Sequence, residues 1–233
     1  MRIIDARHQR RLAFNPGVFT RLSELHLTCK APVMDWGLLR CAQLERLSWN
    51  CNVNITHTAL LYMTRLTSLD LSGNDIVTSD WVACLTTLTN LSLRGNKTVN
   101  NTALRKLTGL TSLSLRGNRR IKGKTLLLLT RLQTLNLSAN FRIHDDSLQH
   151  MTQLTALNLR ENDHITDAAL SHLLSLRTLD LRVNESVKGL SLTRMSALSN
   201  LRLSPGLELT PSDGIKEITL WGTLSRSLKS IIY

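Results

Sequence analysis

Leucine stands at positions 22, 44, 66, 88, 110, 132, 154, 176 and 198, a period of 22 kept without insertion or deletion. A repeat of that length is one supersecondary unit that cannot bury its own apolar face, so the chain must stack its units into a continuous core. Aligned on these leucines, a middle unit reads LTNLSLRGNKTVNNTALRKLTG and a later one LTALNLRENDHITDAALSHLLS, giving LxxLxLxxNxxIxxxxLxxLTx. The leucine of the period is counted below as position 1 of each turn. Positions 4 and 6, such as Leu69 and Leu71 or Leu113 and Leu115, alternate with polar residues. One buried face of a short strand requires that pattern.

Several columns repeat together over roughly residues 22–219, and the combined pattern resembles that of the leucine-rich repeat family. The resemblance implies an α/β-type repeat: a right-handed solenoid, horseshoe-shaped, with a parallel β-sheet on the concave side and short helical or extended turns on the convex side. Short units of this kind, without disulfide caps, are similar to those of bacterial intracellular leucine-rich repeat proteins, including effectors delivered into host cells by specialised secretion.

Each column has a structural duty. Asn at position 9 (Asn52, Asn74, Asn96, Asn118, Asn140, Asn162, Asn184) is suited to bond backbone groups left unpaired where the chain bends after the strand. Thr at position 21 (Thr64, Thr86, Thr108, Thr130, Thr152, then Ser196) is expected to do similar work before the next strand. Aliphatics at position 12 (Ile55, Val77, Val99, Ile121, Ile143, Ile165, Val187) and position 17 (Leu60, Leu104, Leu126, Leu148, Leu170) complete the core. The pattern decays at both ends, where Lys30 and Gly206 replace the closing Asn. Residues 1–21 therefore read as an N-terminal cap, 22–219 as nine leucine-rich repeats, and 220–233 as a C-terminal cap, with a short helix through SRSLKSIIY.

A 42% hydrophobic content with only 4% aromatics suits a thin aliphatic core. The basic start MRIIDARHQRRLAF lacks a signal-peptide apolar run, and no stretch reaches the length of a membrane span, so a cytoplasmic protein is expected. Cys29, Cys41, Cys51 and Cys84 all lie in the first half and do not flank the repeats, which favours a reducing compartment. Cys29 and Cys51 are one period apart; two thiols, a strained disulfide and a metal pair are all open to them, and no second Cys or His pair at ligand spacing supports the metal.

Binding is expected on the polar columns of the strands, a mostly short polar floor interrupted by Arg94, Arg116, Arg160 and Arg182. From Trp81 to His144 there are eleven Lys and Arg and no acidic residue, which concentrates much of the net charge of +12 there. The candidate partner-binding residues are Arg94, Lys97, Arg116, Arg119, Arg120, Lys122, Arg142, Asn158, Arg160 and Arg182. Guanidinium groups in such number suit carboxylate or phosphate recognition and speed the encounter with an acidic partner. Three functions compete for these residues. The first is a monomeric, non-catalytic protein-interaction module for an acidic protein surface. The second is electrostatic RNA, DNA or ribosome binding, which a pI near 10.3 permits. Base stacking has only Phe141, in a loop, to draw on, and Trp49 points into the core. The third is an enzyme, for which no nucleophile, base and orienting acid share the strand columns; His57, His144, His150, His164 and His172 scatter over turns, Asp145 and Asp146 fall in a solvated arc, and no cofactor motif is present.

Overall fold

The computed structural model describes residues 3–5, 22–27, 41–50, 58–204 and 217–220. The expectations for Cys29, Lys30, Cys51, Asn52, Ile55, His57, Gly206 and the C-terminal helix lie outside the described residues. The chain divides into two compact units, Met1–Ser114 and Leu115–Tyr233.

In the first unit the strands are β1 (Ile3–Asp5), β2 (Glu24–Leu27), β3 (Arg46–Trp49), β4 (Ser68–Asp70), β5 (Asn90–Ser92) and β6 (Ser112–Ser114). They pair in chain order, all parallel, and the register sets Leu25, Leu47, Leu69, Leu91 and Leu113 side by side. Period-2 alternation turns these leucines inward, where each is at most 3% exposed. The return segments carry α1 (Thr58–Leu61), α2 (Ser79–Ala83) and α3 (Asn101–Leu104). One turn of helix is all the room a 22-residue period leaves. At α3, Asn100 sits as N-cap with its side chain accepting from Thr102 N at 2.8 Å.

The second unit repeats this plan with β7 (Thr134–Asn136), β8 (Ala156–Asn158), β9 (Thr178–Leu181), β10 (Asn200–Leu203) and β11 (Glu217–Leu220). Here Leu135, Leu157, Leu179 and Leu201 are in register, with Ile218 following them on β11. The returns are a 3-10 helix η1 (Gly123–Leu128), α4 (Asp145–Leu148), α5 (Asp167–Leu170) and a second 3-10 helix η2 (Leu192–Arg194). Thr166 caps α5, its hydroxyl accepting from Ala168 N at 3.1 Å. Gly123 opens η1 where Ser147 of the next turn approaches so closely that a Cβ would lie 1.9 Å from its Oγ. Any side chain at 123 would push the two turns apart.

The asparagine column works as expected. Asn140 is fully buried; its amide donates to Leu115 O at 3.1 Å and Asn118 O at 2.9 Å, and its Oδ1 accepts from Arg142 N at 3.0 Å. Asn162 repeats this with Leu137 O, Asn140 O and His164 N. In the first unit Asn74 donates to Trp49 O and accepts from the amides of Ile76 and Val77.

The threonine column is corrected. Thr64, Thr86, Thr108, Thr130, Thr152 and Ser196 are exposed, and none makes a side-chain hydrogen bond among the described residues. The hydroxyls that bond sit instead at position 2. Thr67, Thr89 and Thr111 donate to Glu45 O, Thr67 O and Thr89 O, and in the second unit Thr155 and Ser199 donate to Gln133 O and Arg177 O, at 3.1–3.2 Å. Position 2 enters the strand, where the carbonyl one turn earlier lies within reach.

Position 8, just before the asparagine, is left-handed in every described turn from Gly73 onward. Gly73 and Gly95 meet it in the first unit, with φ of 65° and 61°. In the second unit Gly117 does so at 60°, but Ala139, Glu161 and Val183 hold φ of 51°, 55° and 54°. The tight turn explains the demand: Asn74 N donates back to Leu71 O, Asn140 N to Leu137 O and Asn162 N to Leu159 O, and position 8 is the third residue of each turn, where a positive φ closes the bond.

Candidate binding surface

Outward-facing positions 5 and 7 of the strands form the sheet face of each unit. Short acceptors at position 5 hold the backbone of position 7. Asp70 Oδ1 accepts from Ser72 N at 3.0 Å, Asn136 Oδ1 from Ser138 N at 2.9 Å, and Asn158 Oδ1 from Arg160 N at 3.0 Å. Asn158, a candidate contact residue, is thereby occupied in shaping its own strand end.

The remaining candidates divide by what neutralises them. Asp180 is 3% exposed, and Arg182 grips it through Nε and a terminal nitrogen at 2.6–3.2 Å. Donating to the Asp180 carboxylate raises the Arg182 pKa, and the pair is spent inside the strand. Arg160 Nε bonds Glu161 at 2.9 Å, and in the first unit Lys97 Nζ lies 3.3 Å from Asp75, one period earlier. By contrast Arg94, in the first unit, and Arg116, Arg119, Arg120 and Arg142, in the second, make no ion pair with any other described residue. Arg94, Arg119, Arg120, Lys122 and Arg142 are exposed and Arg116 half-buried. Seven of the eleven cations of the acid-free stretch fall in the second unit. Arg120 and Arg142 occupy position 11 of successive turns, each with its amide on the Oδ1 of the buried asparagine two residues before it, at 2.9 and 3.0 Å. Their backbone is thus fixed while their side chains reach solvent.

The same loops hold contacts that the sequence reading missed. His164, at position 11 of the next turn, meets Phe141 edge-on at a centroid distance of 5.9 Å and His144 at 4.9 Å. Residues 20 to 23 apart become neighbours in a 22-residue period, so His144 and His164, read as scattered, are brought together. Asp145 is no loose member of a solvated arc either, since it accepts from Thr166 N at 2.8 Å and from its hydroxyl at 2.6 Å. In the following turn Asp167 acts likewise, accepting from Ser191 N, Ser191 Oγ and Lys188 N. Burial alone would raise the Asp167 pKa; the bonds from the Ser191 side chain and from the amides of Ser191, Lys188 and Gly189 outweigh it and hold the carboxyl below its ordinary value. Cys41 is a buried thiol whose pKa burial pushes up to about 11, and Cys84 is an exposed one. Among the described residues no three His, Cys, Asp or Glu side chains gather as a metal site, and no helix is long and apolar enough to cross a membrane.

One parallel strand per 22-residue turn, a short return helix and a buried asparagine closing the strand make a leucine-rich repeat fold in each unit. No family model and no curated protein sequence matches the chain. Among solved structures, internalin C2 of Listeria monocytogenes is similar with a TM-score of 0.62 at 22% identity, over 88% of this chain and 90% of that one. The internalin InlF of the same organism gives 0.59 at 25% identity over 79% of this chain, which spans only 55% of InlF. The functional domain of InlJ, also from Listeria monocytogenes, gives 0.50 at 22% identity, over 84% of this chain and 46% of that one.

Proposed function

We propose that the chain is a non-catalytic protein-interaction module that holds an acidic partner protein through the sheet faces of its units and their adjoining basic loops. The observation that carries this reading is that the guanidinium groups of Arg94 and Arg116, at position 7 of their strands, are left without a carboxylate among the described residues while Arg160 and Arg182 are neutralised. A charge-complementary surface steers encounter and selects partners more than it adds raw affinity. Lys97 and Arg160 then serve as rim residues that exchange an internal carboxylate for the partner's, while Arg182, held by Asp180, and Asn158 shape the strand ends. The likeness to bacterial internalins supports a fold suited to such binding. The reading extends to a monomer working in a reducing cytoplasm, with delivery into a host cell as an effector one form of it.

Affinity capture from bacterial and eukaryotic lysates, at low and high salt, tests it. The unmodified chain is expected to enrich an acidic protein at low salt. Arg94→Glu combined with Arg116→Glu should lose that protein with an unchanged melting temperature; equal capture by the double variant overturns the reading.

A further inference from the structure

Phe141, His144 and His164 form a chain of ring contacts on the loops of the second unit, in the company of the exposed Arg119, Arg120 and Arg142. Phe141 is 46% exposed. Its contact with His164 is edge-to-face, with an interplanar angle of 76°, so at least one face of the phenyl ring is not covered by its neighbour. A lone exposed phenylalanine needs no explanation. Three rings joined through His164, on turns that also carry guanidinium groups pairing with no described carboxylate, make a different chemical object. The platform is also rigid, because Arg120, Arg142 and His164 share position 11 and each amide is held by the Oδ1 of Asn118, Asn140 or Asn162 at 2.9–3.1 Å. At about 4.8 Å per parallel turn, these three positions span on the order of 10 Å along the loops.

We propose that this loop edge is a binding site for single-stranded nucleic acid. A base stacks on the exposed part of the Phe141 ring, His164 props the phenyl ring and is itself met by His144, and Arg119, Arg120 and Arg142 take the flanking phosphates. Guanidinium groups match phosphate oxygens in geometry and charge, and ring stacking tolerates any base because every base has a π-face. A duplex does not fit this site, since its bases are already stacked within the helix and offer no face to the ring. The site stands on Phe141, His144 and His164, not on the strand arginines that carry the protein-interaction reading, so either can fail alone.

Fluorescence anisotropy with a short labelled oligouridylate, and with labelled poly-glutamate as the acidic peptide control, tests the site. The unmodified chain is expected to bind the oligouridylate at low salt, and Phe141→Ala to weaken it about tenfold, the size of one base–ring stack. Phe141→Tyr keeps the ring and should keep the affinity. Poly-glutamate should be indifferent to Phe141→Ala, and Arg142→Glu should weaken both probes and flatten the salt dependence. Absence of oligouridylate binding at low salt, equal binding by Phe141→Ala, or an equal loss towards poly-glutamate each overturns the proposal. Phe141→Ala should leave capture of the acidic protein intact, which separates this test from the previous one.

Discussion

The first unit turns the corner after its strands on Gly73 and Gly95, whereas the second follows Gly117 with Ala139, Glu161 and Val183 in the same left-handed conformation. The backbone is asked for the same φ in both because position 8 is the third residue of a tight turn in which the asparagine amide donates back to the position-6 carbonyl. Glycine adopts it without steric cost; each other L-residue sacrifices roughly 1–2 kcal/mol there. The second unit therefore tolerates a local penalty that the packing around it overrules. A repeat fold is specified by columns that have no substitute, and position 8 is a preference, not a requirement.

Removing a column that has no substitute should have the largest effect and should not distinguish the units. Asn162→Ala would leave Asn140 O without its side-chain donor and His164 N without its acceptor, in a buried setting. A loss of about 3 kcal/mol is expected from the urea midpoint. Asn74→Ala should cost a similar amount in the first unit. A loss below about 0.5 kcal/mol, within the range of ordinary surface substitutions, would break the claim that this column is indispensable.

Exchanging residues at position 8 should have a smaller effect, of opposite sign in the two units. Gly95 has open space around a built Cβ, so any cost of Gly95→Val is conformational, about 1–2 kcal/mol. Val183 is 54% exposed and has little packing to lose, and Val183→Gly should gain up to about 1 kcal/mol. Thermal unfolding of the two variants would show it. A destabilised Val183→Gly would mean that the valine contributes a contact beyond its backbone.

The smallest effect concerns Asp167 alone, which bridges successive turns of the second unit. Its carboxyl is held below the ordinary value, so the ionised form is favoured by folding. The stabilisation is therefore complete above the unfolded-state value of about 3.9 and fades as pH falls through the lower folded-state value. Urea unfolding measured across this acid range should show Asp167→Asn less stable than the parent near neutrality and converging with it at the acid end. Parallel pH curves would place the stabilising bonds elsewhere.

Much of the fold was legible because the residues that build it recur at one spacing. Leu69, Leu91 and Leu113, or Asn118, Asn140 and Asn162, announce their duty by repetition. Repetition alone misled at position 21, where Thr64, Thr86 and Thr108 recur faithfully yet face solvent. The bonding hydroxyls at position 2 are interrupted by Gln133 and Arg177 and so leave a weaker trace. The basic loops were legible as a charge run, but their sorting was not. That Lys97 is paired and Arg120 is not depends on Asp75 lying at position 10, one period before Lys97, a relation between turns and not within one. The ring contacts escaped for the same reason, since Phe141 and His164 belong to different turns.

One consequence of the asparagine column concerns the order in which the chain can take shape. Asn96 donates to Asn74 O, Asn140 to Asn118 O, Asn162 to Asn140 O and Asn184 to Asn162 O, each pointing from the later turn to the earlier. The position-2 hydroxyls point the same way, from Thr89 to Thr67 and from Ser199 to Arg177. In each of these bonds the side-chain donor belongs to the later turn and its acceptor to the earlier. As the chain leaves the ribosome, each new turn meets acceptors already in place, and the ladder can close one rung at a time behind the growing end.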